Sequence, residues 1–160
     1  MHDGAEQGIR GIELVPSVTN SSINNIWIAN QDFLAIDVYS AVNGSRIASY
    51  PTPQFHPVGL YFDPQSTYIF IGGKPADGTG DGIIYIVDPI TMKTVRTLQA
   101  SPMNHPTGMA AIGDILYVLE QENDHMLSFH ITTGAYIGQV VQSFATYGFT
   151  PPEQLILSLC

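Results

Sequence analysis

Short apolar runs separated by polar turns recur along the chain and fall into three similar groups of four. The runs are rich in Ile, Val, Tyr, Phe and Thr, and Gly, Pro, Asn and Asp lie between them, which is typical of β-strands joined by tight turns. No stretch of twelve residues keeps a helical period. The predicted strands are 11–17, 25–30, 33–39 and 45–50; 59–65, 68–73, 82–88 and 93–98; and 108–114, 115–120, 125–131 and 135–140.

The groups repeat at a nearly constant interval. Each begins with a glycine, at Gly11, Gly59 and Gly108, so the spacings are 48 and 49 residues. A weaker fourth copy, "PEQLILS" from Pro152, has Gln154 in the glycine position 46 residues further on. A fixed period of this length indicates a repeat architecture.

Four short antiparallel strands per repeat predict the blade of a β-propeller. One blade is a twisted sheet with two apolar faces, and its neighbours cover them. The prolines of "HPVG" and "HPTG" fix the start of the innermost strand, and the following glycine permits close backbone approach or an unusual dihedral where blades converge. The sequence therefore predicts an all-β propeller with blade 1 at 8–50, blade 2 at 56–99, blade 3 at 105–141, and the start of blade 4, one extra strand, at 151–160.

The predicted blades are too few to form a ring. Known propellers have roughly four to eight blades, and an open array would expose an apolar blade face at each end. The pattern therefore favours a fragment of a six- to eight-bladed ring. The alternative is that two copies close a six-bladed ring, in which the strand at 152–159 of one copy would compete with the strand at 9–16 of the other.

The second and third repeats resemble known propeller repeats. "IYIVDPITMKTVRTL" (84–98), followed by "HPTGMA" and "ILYVLE", is similar to the YVTN-type repeats of surface-layer and other extracellular propellers. "LSFHITTGAYIGQVV" (127–141) is similar to NHL-like repeats. The resemblance spans roughly residues 8–159 and implies a fold far more strongly than any one activity.

The repeats also depart from that pattern. Asp37 and Asp88 are expected to end the third strand of their blades, whereas His130 takes that place in the third blade. Gly113 replaces the proline found in the first two repeats. The WD and kelch signatures of other propellers are absent.

Composition argues against several classes of partner. Hydrophobic residues make up 44% of the chain and charged residues only 12%, well below the usual ~25%. Five Lys and Arg against 14 Asp and Glu give a net charge of −9, which repels nucleic acid and anionic membranes. No run approaches the roughly 18 apolar residues of a membrane span, and residues 1–10 lack an apolar signal core.

Motifs for covalent chemistry are few. "NSS" at Asn20 and "NGS" at Asn43 match the acceptor pattern for N-glycosylation. The only cysteine, Cys160, has no partner for an internal disulfide and no local base. The chain contains no G-x-S-x-G nucleophile motif.

Two histidines, His56 and His105, occupy the same repeat position, which the propeller fold places at the mouth of the central channel. In metal-dependent propeller enzymes, residues from several inner strands converge on an axial cation, so the resemblance implies these histidines as zinc or calcium ligands. A catalytic zinc usually needs three protein ligands, but the position holds Gly8 in the first repeat and Pro151 in the fourth. The sequence favours the alternative that each His-Pro pair forms a turn before an inner strand.

The stretch "DGTGDGIIYIVD" (77–88) nearly matches a calcium-binding loop. Its twelfth position, Asp88, ends a predicted strand that rises ~3.3 Å per residue and so lies about 20 Å from the loop. A smaller calcium site that uses Asp77, Asp81 and backbone carbonyls is left open. The sequence favours a solvated hairpin loop, because Gly and Asp dominate such turns.

Two functions from different classes follow. The sequence favours a non-enzymatic, cofactor-free propeller segment that binds a protein or glycan ligand through interblade loops at an extracellular or cell-surface location. The long loops at 17–24, 72–82 and 142–151 are expected to form that surface. The alternative is part of a six-bladed metal-dependent hydrolase or lyase, of the lactonase or amidating-lyase type, with His56 and His105 as axial ligands. Self-association is expected if the 160 residues are the complete chain.

Overall fold

A computed structural model describes residues 8–17, 20 and 22–141 of the chain. This part of the chain contains twelve β-strands and no helix, so no helix of the described residues could cross a membrane. The strands are β1 (Ile9–Pro16), β2 (Asn24–Asn30), β3 (Ala35–Ser40), β4 (Arg46–Pro51), β5 (Phe55–Phe62), β6 (Ile69–Pro75), β7 (Ile83–Val87), β8 (Thr94–Leu98), β9 (Pro106–Ile112), β10 (Ile115–Glu120), β11 (His125–His130) and β12 (Tyr136–Val141).

The strands form three antiparallel sheets of four, each in the order of the chain. Blade 1 is β1-β2-β3-β4, blade 2 is β5-β6-β7-β8, and blade 3 is β9-β10-β11-β12. The predicted all-β architecture of four-stranded blades is therefore confirmed. The predicted extra strand at 151–160 lies outside the described residues.

The innermost strands of neighbouring blades pack side by side. β1 packs against β5, and β5 packs against β9. A β-carbon on Gly11 would lie 2.8 Å from the carbonyl oxygen of Val58, and one on Gly59 only 2.0 Å from that of Thr107. Because no real β-carbon tolerates such contacts, the prediction that these glycines permit close backbone approach is confirmed.

Two apolar cores fill the spaces between the blades. Between blades 1 and 2, buried side chains of both sheets pack around Trp27. Between blades 2 and 3, a second cluster packs around Phe70 and Phe129. Each sheet therefore depends on its neighbour for the burial of a face, as expected for a repeat architecture.

The alternation of strand direction gives the three blades two distinct ends. One end, here called the histidine face, carries the starts of the innermost strands with His56 and His105, together with the turns at 31–34, 76–82 and 121–124. The other end, here called the opposite face, carries the connections from first to second strand and from third to fourth strand of each blade.

The prediction that the loops at 17–24 and 72–82 share one surface is wrong. The first joins β1 to β2 on the opposite face, whereas the part of the second that follows β6 joins β6 to β7 on the histidine face. The reason is that successive connections of an antiparallel sheet lie at alternate ends. The third loop of that prediction, 142–151, lies outside the described residues.

The predicted role of Asp37 as the end of the third strand is also wrong. Asp37 lies in the middle of β3. In the turn after the third strand of each blade, the residues that make the same backbone hydrogen bonds are Ser40, Asp88 and His130. The strand continues past Asp37 because this carboxylate is accommodated within the sheet. It accepts hydrogen bonds from Arg46 at 2.6 Å and from the Asn30 side chain at 2.9 Å.

Candidate binding site at the histidine face

An ion pair joins blades 2 and 3 at the histidine face. Lys74, near the end of β6, places its Nζ 2.7 Å from Oε1 of Glu122, in the turn after β10. The same carboxylate oxygen lies 3.7 Å from Nδ1 of His105. The hydrogen bond from Lys74, followed by the charges of Lys74 and His105, keeps the pKa of Glu122 below its ordinary value despite partial burial.

The turn that carries Glu122 is organised by one buried carboxylate, that of Glu120. Its Oε1 accepts hydrogen bonds from the backbone N–H groups of His105 at 3.0 Å and Glu122 at 3.1 Å. Its Oε2 accepts from the backbone and side-chain N–H groups of Asn123 at 2.8 and 2.7 Å. Since four donors satisfy this fully buried group, Glu120 fixes the turn to the start of β9.

The electrostatic surroundings of His105 involve all three blades. Burial is the largest cause that holds the pKa of His105 below its ordinary value, and the positive charges of Lys74 and Arg10 lower it further against the opposing effect of Glu122 and Glu120. Arg10 belongs to β1, and its Nε donates to Oε1 of Gln31 at 3.1 Å. The imidazole of His105 is therefore neutral near pH 7.

The lowered pKa of His105 predicts a loss of stability in acid. The unfolded chain binds a proton at this histidine more readily than the folded chain, so the stabilising contribution is present above the unfolded pKa of about 6.5 and is lost as the pH falls through the lower folded value. We expect the free energy of unfolding in urea to fall less between about pH 7.5 and pH 5.5 in His105→Gln than in the native chain.

His130→Gln, on the opposite face, is the matched control for the same measurement, because it removes a histidine far from Lys74 and Arg10. If the free energy of unfolding fell as much on acidification in His105→Gln as in the native chain, His105 would not titrate as described.

The two predicted metal ligands both lie at the histidine face, but they do not form a complete donor set. His56 stands opposite Lys74 in the β5–β6 pairing, so their side chains share one side of the sheet. Nδ1 of His56 and Nε2 of His105 are buried without a hydrogen-bond partner. Within the described ranges, however, no three His, Cys, Asp or Glu residues are grouped to hold an ion, and the Lys74 ammonium opposes a second cation nearby. The prediction of a metal at His56 and His105 stays a prediction.

The predicted calcium loop forms the turn between β6 and β7. Oδ1 of Asp77 accepts a hydrogen bond from the backbone N–H of Thr79 at 3.0 Å, and this bond keeps the pKa of Asp77 below its ordinary value. Gly82 packs tightly against the connection before β9, where a β-carbon would meet the Pro106 ring at 2.6 Å. The calcium site at Asp77 and Asp81 stays a prediction.

The most exposed aromatic side chain of the described residues, Phe33, was assigned by the sequence pattern to a strand. It lies instead in the turn before β3, with 78% of its surface exposed. Leu34 follows with a positive φ of 46°, which is costly for a branched side chain. In blade 3, Asp124 occupies the corresponding position of the turn between β10 and β11, with a φ of 55°. Alignment of the two repeats at this position could have revealed the turn at Phe33 from the sequence.

Comparisons with known proteins identify the fold but no family. No family model matches the chain, and no curated protein matches it. The crystal structure of RRP9 WD40 repeats matches with a TM-score of 0.62 at 15% identity over 85% of this chain and 39% of that one. The structure of U3-55K matches with a TM-score of 0.62 at 15% identity, over 86% and 40%. The crystal structure of the computationally designed Ika4 protein matches with a TM-score of 0.56 at 17% identity, over 88% and 78%.

The chain thus spans about 40% of the first two solved structures that it matches. At these identities the likeness establishes the fold alone. The three sheets are blades of a propeller-type repeat fold, the architecture also found in WD40 repeats.

Proposed function

We propose that the chain is a non-enzymatic β-propeller segment that binds a protein ligand through its histidine face. The observation that carries the proposal is the combination, on this one face, of the exposed Phe33 with polar side chains from all three blades. Arg10 comes from blade 1, Lys74 from blade 2, and His105 and Glu122 from blade 3.

The chemistry of this face suits a protein partner. An exposed aromatic ring has a large apolar area and few rotatable bonds, so its burial in a partner's pocket contributes strongly to affinity. The Lys74–Glu122 pair lies partly exposed, where charged groups serve orientation and partner choice more than affinity. Phe33 and Glu122 lie in turns, and Lys74 lies near the end of β6. Binding residues are generally found on such connections between the strands of a scaffold.

The setting proposed for this function is extracellular or at the cell surface. The similarity of residues 84–98 to repeats of extracellular propellers supports it. A glycan ligand at the same face is the alternative outcome of the test below. The hydrolase or lyase alternative stays a prediction.

Phe33→Ser is expected to weaken ligand binding. Removal of a central aromatic contact costs about 2 kcal/mol or more, which is roughly 30-fold in Kd. The ligand would first be recovered by cross-linking to the native chain in an extract of its source and identified by mass spectrometry. Its Kd would then be measured for each variant by calorimetry.

Ile90→Ser is the matched control, because Ile90 is 72% exposed and lies in the β7–β8 turn on the opposite face. Equal weakening by both variants, or weakening by Ile90→Ser alone, would contradict the proposal. A saccharide as the recovered ligand would identify the glycan alternative.

A further inference from the structure

The "NGS" motif lies at the tip of an exposed hairpin. Asn43 is in the turn between β3 and β4, and both Asn43 and Ser45 are exposed. Oδ1 of Asn43 accepts a hydrogen bond from the backbone N–H of Ser45 at 3.0 Å. Gly44 between them has a φ of 70°, which glycine adopts without strain. The side-chain oxygen is therefore occupied within the turn, whereas Nδ2 makes no hydrogen bond among the described residues.

In the "NSS" motif, Asn20 and Ser22 make the same kind of hydrogen bond as Asn43 and Ser45. Asn20 is exposed in the connection between β1 and β2. Its Oδ1 accepts a hydrogen bond from the backbone N–H of Ser22 at 3.1 Å. In both motifs the asparagine oxygen is turned towards the residue two positions later, which is the position of the hydroxyl that the acceptor pattern requires.

Two asparagines outside these motifs use their side chains differently. Nδ2 of Asn30 donates to Asp37 at 2.9 Å, and Nδ2 of Asn123 donates to the buried Glu120 at 2.7 Å. These two amides hold the sheet and a turn together. The contrast indicates that, within the described part of the chain, Asn43 does not serve the fold through its side-chain nitrogen.

Both motifs lie on the same side of the molecule. The β1–β2 and β3–β4 connections are at the same end of blade 1, on the opposite face. The side chains of Phe33, Lys74, His105 and Glu122 belong to turns and strand ends at the other end. A bulky group on Asn20 or Asn43 would therefore leave the histidine face uncovered.

We propose that Asn20 and Asn43 are N-glycosylation sites and that their glycans cover the opposite face of blade 1. In the reaction, Nδ2 forms a bond to the anomeric carbon of an oligosaccharide carried on a lipid diphosphate, and it loses one proton. The bond from that carbon to the diphosphate breaks, and the lipid diphosphate leaves. The inference rests on the extracellular location proposed above, since this chemistry belongs to secreted and cell-surface proteins.

The direct test is peptide mapping of the chain isolated from its source. Enzymatic release of N-glycans in heavy-oxygen water converts each formerly glycosylated asparagine to a labelled aspartate. We expect the label at positions 20 and 43 and at no other asparagine. An unmodified asparagine at either of these positions throughout the population would overturn the proposal.

Single substitutions test the motif at Asn43. In the same source, Asn43→Gln and Ser45→Ala should each remove one glycan from the intact mass, while Asn104→Gln, outside any motif, should leave the mass of attached glycan unchanged. A full set of glycans on Ser45→Ala would overturn the assignment of Asn43. This outcome is distinguishable from failure of the binding proposal, because the effect of Phe33→Ser on Kd is measured separately.

Discussion

Gly59→Ala should destabilise the chain by about 3 kcal/mol, at the upper end of the cost of overpacking. The new β-carbon would lie 2.0 Å from the Thr107 carbonyl oxygen and 2.8 Å from its carbonyl carbon. Both are backbone atoms of the neighbouring inner strand, so no side-chain rotation relieves the contact. Blades 2 and 3 would have to separate along the seam that buries Phe70 and Phe129. The free energy of unfolding from urea denaturation measures the loss.

Gly113→Ala is the control for this substitution. Gly113 has a φ of 60°, and a β-carbon there would meet nothing within 4 Å. Gly113→Ala therefore measures the conformational cost of an added β-carbon, about 1 kcal/mol, without any packing cost. A Gly59→Ala chain no less stable than Gly113→Ala would show that the inner strands are not packed as closely as described.

Glu120→Ala is expected to cost about 3 kcal/mol. The backbone N–H groups of His105, Glu122 and Asn123 would lose their acceptor, and a buried donor without a partner costs roughly 1–3 kcal/mol, less where water enters. The turn that holds Glu122 against Lys74 would loosen as well. The loss is measured by urea denaturation, and the order of the turn by hydrogen exchange of its amides.

Glu120→Gln provides the graded comparison. Glutamine keeps one acceptor oxygen in nearly the same volume, so it should retain part of the stability that alanine loses. In both variants, exchange should accelerate most at 105 and 121–124, beyond the general increase that follows from the lower free energy of unfolding. Unchanged stability in Glu120→Ala would contradict the assignment of this carboxylate as the organiser of the turn.

The repeat itself could be predicted from sequence because its physical cause is local. Gly11 and Gly59 recur at one interval since close packing of inner strands leaves no room for a side chain. The β-branched and aromatic runs mark the strands because each sheet buries both faces where it has neighbours. The fold class and most strand positions followed from these two facts.

The candidate site could be predicted only in part, because its contacts join residues far apart in the chain. The shared repeat position of His56 and His105 indicated that both lie at the same end of their blades, but nothing local indicates that Lys74 meets Glu122. Phe33 was assigned to a strand because "FLAIDVY" begins with four apolar residues, whereas the observed turn depends on the positive φ of Leu34. Asp37 was misplaced because its partners, Asn30 and Arg46, lie on the two neighbouring strands.

Photo-cross-linking shows whether ligands bind at the histidine face. A photoreactive phenylalanine analogue would replace Phe33 in one chain and Ile90 in another, and each chain would be illuminated in its native setting. Binding at the histidine face predicts ligand cross-links from position 33 and none from position 90. Cross-links of equal yield from both positions, or from position 90 alone, would contradict it.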